Sequence, residues 1–493
     1  MCHCVPRQDF AIIRVNLFKE VAVFLGREKE LASLRLLLEK PTASLVACRG
    51  RRRIGKSTLF REFARRERLG FISIEGLGPR KGQTDADQLR NFGERLAEQT
   101  HGKLVIPKTW PEAFRILSRR IPKRGRHLVL LDEISWMGRH EPDFSGYLKN
   151  GWDDELKHHD NLILVVCGSV SSWVRRNMLD SATFGGRFSR DIVLKELPLK
   201  LCGEFWRGKR TDLSSRELLD VLSVTGGVPR YLEEINPSLS AAENIRLMCF
   251  TPDGPLFKDF SAMFGEVFGG TARAKGDILR ALADGPLSLK EIADAVGVER
   301  GGSLGVSLDE LVEAGFVAKD EILNPRTWKP SRLARYRLCD NYARFYLKYV
   351  EPHLADIKSG RYEFESLSEL PGWQTIMGLQ FENLILNRVM DFKESLHLTG
   401  ATVRSAAPYR TGGPNGVQVD LLVQTDDVMY VVEIKRRKQI KADIIDEVKK
   451  KIGKIRRPSR ISVRKAVVFD GELAPIVRRT GYFDALVDVG SLI

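Results

Sequence analysis

The chain of 493 residues is 43% hydrophobic and 29% charged, and 79 Lys and Arg against 64 Asp and Glu give a formal charge of +15. That length allows about three domains, and the charge asks for an acidic partner, of which nucleic acid is the leading class. No stretch approaches the ~20 apolar residues of a membrane span, and seven cysteines form no disulfide framework, so no membrane partner and no secreted disulfide scaffold is expected.

Residues 1–20 read as an N-terminal tail. Arg7, Asp9 and Arg14 interrupt its apolar residues, which excludes a signal peptide and makes the chain cytoplasmic by expectation. Cys2-His3-Cys4 has no second pair at metal-ligand spacing, so no metal is expected there. Residues 21–200 carry the strongest signals. The segment from Phe24 to Leu31 opens a helix with Leu31, Leu34 and Leu37 on it, and Ser44 to Cys48 is a short buried strand. Gly50 to Ser57 follows as GRRRIGKS, and Ser57 to Arg66 has helical spacing with Leu59, Phe60 and Phe63 on one face. A glycine turn between strand and helix points successive backbone N–H groups at a phosphate, and the helix N-terminus adds partial positive charge. The expected nucleotide contacts are Gly50, Arg51, Arg52, Arg53, Ile54, Gly55, Lys56, Ser57 and Thr58, with Lys56 on the β/γ-phosphates and the Ser57 hydroxyl on Mg2+. His127 to Asp132 (HLVLLD) is a strand buried on both faces. Asp132 at its end is the expected Mg2+ partner, and Glu133 the base that orients or deprotonates the attacking water. Leu162 to Cys167 is a third such strand, and Ser169 just past it is the candidate γ-phosphate sensor.

Residues 201–263 read as a helical lid containing the turn Thr225-Gly226-Gly227-Val228-Pro229. In 264–340, three short helices precede a strand and a basic, Pro-containing segment, the layout of a winged helix-turn-helix. The third helix, which reads bases when such a module does, offers Ser307, Asp309, Glu310 and Glu313 and no Lys or Arg. The wing offers Arg326, Lys329, Arg332, Arg335 and Arg337. Backbone contact through the wing and intrachain packing of the module are both open readings. Residues 341–372 form a helical connector. In 373–493, a helix from Leu379 to Val389 carries Glu382, a strand from Val417 to Val423 carries Asp420, and a strand from Val428 leads into Glu433-Ile434-Lys435. Asp420 and Glu433 on adjacent strands suit a shared divalent metal, with Lys435 beside them to polarise water or stabilise charge on phosphate. A half-buried strand with a surface Glu and Lys is the plain alternative. Arg436, Arg437, Lys438 and the lysines from Lys449 to Lys454 crowd the same region, which favours a phosphate backbone as partner.

The segments FLGREKEL, GRRRIGKS, LLDEISW, GSVSSWV, FGGRF and TGGVPRYL together resemble the archaeal-type P-loop ATPases of the AAA+/STAND group. YRLCDNYARFYLKYV resembles the connecting segment of members that append a winged helix and a PD-(D/E)XK nuclease-like domain. The resemblance implies an α/β fold: a parallel P-loop sheet, a helical lid, a winged helix-turn-helix and a C-terminal restriction-endonuclease-like domain. It implies that Phe24 and Arg27 lie near the adenine and that Gly227 and Pro229 touch nucleotide from the lid. Arg187 or Arg190 would be a trans-acting arginine finger, with Arg175 and Arg176 competing, which implies a nucleotide-dependent homo-oligomer. Glu382, Asp420, Glu433 and Lys435 match the nuclease pattern. The expected function is a Mg2+-dependent ATPase with ATP as ligand, whose nucleotide state controls a DNA-binding C-terminal module with a second divalent metal for cleavage. The alternative is a regulatory or signalling ATPase whose nuclease-like domain is inactive and only binds nucleic acid or protein.

Overall fold

Alternation of side chains along continuous apolar runs builds the first sheet. The computed structural model describes residues 24–206, 213–362, 364, 366–413 and 416–493; the expected tail at 1–20, with Cys2-His3-Cys4, lies outside them. Strands β1 (Ser44–Arg49), β2 (Gly70–Glu75), β3 (His127–Asp132), β4 (Leu162–Gly168) and β5 (Phe188–Val193) form a sheet of order β2-β3-β4-β1-β5. Every neighbouring pair in it is parallel. Leu45, Ala47, Val129 and Leu131 point into one apolar cluster, and Val46, Cys48, Leu128 and Leu130 into another, so both faces are covered. The register pairs Arg49 with Gly168 and Leu131 with Val166. That alignment brings the loop after β1, the acids after β3 and Ser169 after β4 to one edge, where open α/β sheets bind ligands.

Beyond this sheet come the helices Ala272–Leu282, Leu289–Val296 and Gly302–Glu313. Ser288 and Glu291 make a capping box on the second, and Gly297 ends it in left-handed backbone. A small sheet of order β6-β8-β7 follows, from β6 (Leu287–Ser288), β7 (Val317–Leu323) and β8 (Pro330–Leu338). The third helix turns its acids onto the ATP-site half of the molecule. Glu313 accepts from Arg175 at 2.9 Å, and Glu310 pairs with Arg176 and, at 2.9 Å, with Lys275. Its acidic composition is therefore complementary to intrachain partners.

The C-terminal sheet has the order β13-β12-β11-β10-β9, built from β9 (Ser405–Arg410), β10 (Gln418–Gln424), β11 (Val428–Ile440), β12 (Ser462–Leu473) and β13 (Ala485–Asp488). β9, β10 and β11 are an antiparallel meander, and β11, β12 and β13 run parallel. The helix Trp373–Leu386 packs on one face through Phe381 and Leu384, and the helix Asp443–Lys454 on the other through Ile444 and Val448. One apolar cluster runs from Leu197 through the lid and the three helices to one face of the C-terminal sheet and Val489, and a separate one fills that sheet's other face. Among the described residues no helix is long and apolar enough to cross a membrane.

Candidate functional site

The loop after β1 is held by close backbone approach. Gly50 has φ +144°, and a Cβ there would stand 2.5 Å from the Leu194 carbonyl oxygen, so only glycine fits. Its N–H donates to Ser171 Oγ at 3.3 Å. Arg53 and Gly55 take left-handed backbone, at φ 69° and 90°, before the helix Lys56–Arg66 begins. Above Gly55 no atom comes within 4 Å of where a side chain would start. A cavity of about 420 Å3 opens there, lined by the loop from Arg52 to Thr58 and by Asp132, Glu133 and Ser169. That volume suits a nucleotide-sized ligand. Lys56 Nζ donates to the carbonyls of Gly50 (3.1 Å) and Arg51 (3.2 Å) and to Ser169 Oγ (2.9 Å). Ser57 Oγ donates to Asp132 Oδ2, so hydroxyl and carboxylate stand side by side as a Mg2+ shell requires. Glu133 is left-handed at φ 48°, and both its carboxylate oxygens are held by Ser169, from the N–H at 3.0 Å and from Oγ at 2.5 Å. Strain of this kind at a non-glycine residue costs about 1 kcal/mol and marks functional positions. Glu75, paired across the sheet with Asp132, is an acid that the sequence reading missed. Burial, then the charges of Asp132 and Glu133, push its carboxyl up from the ordinary value.

The three loop arginines reach outward, each to an acid beyond the core sheet. Arg51 is buried and pairs with Asp340 at 2.7 Å and Glu196 at 3.4 Å. Arg52 pairs with Glu266 and Arg53 with Asp259, both on the helix Pro255–Phe268. Gly50 and Arg51 thus border the far side of the loop, while Arg52 and Arg53 line the nucleotide cavity. Asp340 also caps the helix Asn341–Phe345 by accepting the Ala343 N–H at 3.0 Å. From there a buried hydrogen-bond chain continues. Gln380 donates to the Asn341 carbonyl at 2.7 Å, its carbonyl accepts from Asn341 Nδ2 at 3.1 Å, and its Oε1 accepts from Arg344 at 3.0 Å. Gln380 lies on Trp373–Leu386, the helix that carries Glu382.

Phe24, Arg27 and Pro229 line the cavity, with Arg230 and Glu233 beside them. Gly227 is not a lining residue. Its carbonyl accepts the Leu197 N–H at 2.7 Å, and a Cβ there would meet the Leu197 carbonyl at 2.4 Å, so it serves the fit of the lid against the strand exit. Arg187 does not reach the cavity of its own chain: its guanidinium is engaged by Asp153 at 2.8 Å. Arg190 donates to Ser33 at 3.1 Å.

The C-terminal acids converge. Asp420 sits where the β9–β10 register shifts, a bulge that re-aims its side chain, and its Oδ2 accepts the Ile434 N–H at 2.9 Å. Glu433 and Lys435, two apart on β11, share a face. Lys435 Nζ contacts Glu433 at 2.8 Å and Asp420 and Glu447 at 3.3 Å each. Lys451 contacts Glu433 at 2.6 Å and Glu447 at 2.8 Å. Burial first, then the Asp420 charge, pushes Glu382 and Glu433 up to about 7. Lys435 is held above the ordinary lysine value, because Asp420 and Glu433 outweigh its burial. Among the described residues no group of three or more acidic, His or Cys side chains is drawn up as metal ligands, since two ammoniums stand among the carboxylates. Glu433 Oε1, however, is buried with no hydrogen-bond partner, which is the kind of oxygen a cation would take. Glu447 was missed in sequence, and Lys451 was read only as part of the basic run; their i,i+4 spacing is the only local signal of the pair. Arg436 and Arg337 leave the basic surface expected of them. Arg436 is tied to Asp220 (2.6 Å) and Asp470 (3.1 Å), and Arg337 to Asp320 (3.0 Å) and Asn383 (2.5 Å).

Residues 24–235 match the family model described as an ATPase domain predominantly from Archaea. An uncharacterized protein of Methanocaldococcus jannaschii is 24% identical over 364 residues, 73% of this chain and 76% of that one. Among solved structures, the Walker-type ATPase of Pyrococcus abyssi is similar at 18% identity and TM-score 0.45, covering 66% of this chain and 96% of that one. The ORC2 protein of Aeropyrum pernix, solved in ADPNP and ADP complexes, is similar at 14% identity and TM-score 0.41, covering 68% of this chain and 96% of its own. The matched ATPase domain coincides with the loop, acids and cavity described above, and the chain is an ATP hydrolase with a P-loop site.

Proposed function

We propose that this ATP hydrolase uses its nucleotide state to control a C-terminal module that binds DNA and carries the residues to cleave it. The observation that carries the reading is the buried path from Arg51 through Asp340, Asn341 and Gln380 to the helix bearing Glu382. A charge that sits in the phosphate loop is thereby fixed by a residue of the C-terminal half. Contiguous packing of this kind is a route for coupling, and coupling itself is what must be measured. At the nucleotide site, Lys56 attracts the β/γ-phosphates, Glu133 orients and deprotonates the attacking water, and Ser169, touching both, senses the γ-phosphate. Mg2+, held by Ser57 and Asp132, would supply positive charge against the phosphate oxygens.

In the C-terminal module, which we read as a winged helix followed by a PD-(D/E)XK-like domain, Lys435 stabilises charge developing on a phosphodiester. Glu382, Asp420 and Glu447 share the cavity with Lys435, Lys450, Lys451 and Lys454, and Glu433 pairs with Lys435 and Lys451 beside it. A divalent ion at Asp420 and Glu433 would polarise the phosphodiester. Incubation with plasmid DNA and Mg2+ or Mn2+, with and without ATP, tests the reading. Cleavage that depends on ATP, is lost in Lys435→Ala and no longer follows ATP in Asp340→Asn is expected. Absence of cleavage with either metal would sink the nuclease reading. The second reading, a regulatory ATPase with an inactive nuclease-like domain, is favoured by the lysine ammoniums standing where metal ligands would converge. Salt-dependent DNA binding without cutting would support it.

A further inference from the structure

Two cavities adjoin where the β7–β8 hairpin meets β9. One, of about 300 Å3, is lined by Arg326 and Arg335 of the hairpin segment, Arg410 of β9, and Lys454 and Arg456 at the end of the helix Asp443–Lys454. The other, of about 520 Å3, holds Glu382, Asp420 and Lys435 with Lys450 and Lys451. Lys454 lines both, so the two cavities adjoin across this one side chain. The acid in the first, Asp320, is already bound by Arg337 at 3.0 Å. Arg326, Arg410 and Arg456 are exposed, and none forms an ion pair among the described residues.

We infer that this groove holds the sugar-phosphate backbone of duplex DNA and leads it from the hairpin to the Asp420–Lys435 cluster. The inference rests on the DNA-facing reading above and names the surface that serves it. An acidic cluster alone repels a polyanion. Here three elements far apart in sequence bring to its approach exposed guanidinium groups that form no ion pair among the described residues. Arg410 feels only the charge of Glu291, which is itself paired with Arg335, and guanidinium is the side chain that matches phosphate geometry best. The third helix is occupied against Arg175 and Arg176, so contact falls to the hairpin and to β9. Such contacts fix position and carry no sequence information.

The test is the salt dependence of binding of the full chain to a short labelled duplex, read by fluorescence anisotropy. Replacing Arg326, Arg410 and Arg456 together by Gln should lower the slope of log K against log salt by roughly 0.9 per lost contact, roughly 2.7 in all. ATP turnover should stay at the wild-type rate, because none of the three lines the nucleotide cavity. A control replacing Arg61, Arg90 and Lys108, exposed on the ATPase half, should leave the slope unchanged. An unchanged slope in the groove variant, or an equal drop in the control, overturns the groove while the DNA-facing reading stands. A wild-type chain that binds no duplex at any salt overturns both.

Discussion

Two lysines sit at the centres of the ATP site and of the C-terminal acidic cluster, and their surroundings are opposite. Lys56 is held by two carbonyls and a hydroxyl, all neutral, so its charge remains for an incoming anion. Lys435 is held by three carboxylates, and its charge is compensated within the protein. The first site is a positive cradle that awaits a polyphosphate. The second is an acidic knot in which lysine stands between carboxylates. A shared residue type therefore says little about readiness; the charge of its partners decides.

The sharpest way to break that contrast is to remove each lysine in turn. Lys56→Ala should cut ATP hydrolysis roughly 1000-fold, the scale of losing a pre-aimed stabiliser, whereas Lys435→Ala should leave phosphate release at the wild-type rate. Equal losses in a steady-state assay would erase the distinction. Next in size is the buried pair that joins the halves. Asp340→Ala removes the nearer of the two acids paired with buried Arg51 and leaves Glu196 at 3.4 Å, at a cost of about 2 kcal/mol, and calorimetry should show a melting temperature lower by several degrees. A titration separates the sites further. Glu382 and Glu433 ionise near 7 in the fold against 4.5 in a free side chain. The folded protein therefore holds extra protons between these values, and their contribution is fully present below 4.5 and lost as pH rises through 7. Metal-free melting temperatures should fall across that window, and Glu382→Gln should flatten the curve. Smallest is the exposed pair Arg175–Glu313: Glu313→Ala should cost about 0.5 kcal/mol, measured by denaturant unfolding, with no change in hydrolysis.

The nucleotide site was legible because its chemistry is nearly contiguous. Gly50 to Ser57 is one loop, and Asp132 and Ser169 end apolar strands whose type is plain from composition. Strand parity likewise put Glu433 and Lys435 on one face. What sequence could not give is which charge meets which. The repeated arginines of the loop look alike, yet Arg51 turns to Asp340 and Arg53 to Asp259 through contacts between distant segments. Arg436 and Arg337 belong to basic runs that read as solvated surface, and both are buried against acids from other elements. The acidic third helix posed a puzzle in sequence that Arg175 and Arg176 answer in the fold.

The apolar cluster that runs from Leu197 to Val489 has a consequence for heredity. A domain with its own core is exchanged between proteins by recombination, because cutting at a linker exposes little. Here a cut after the first sheet would open an interior shared by the lid, the hairpin unit and one face of the C-terminal sheet, so these parts are expected to be exchanged, and to melt, together.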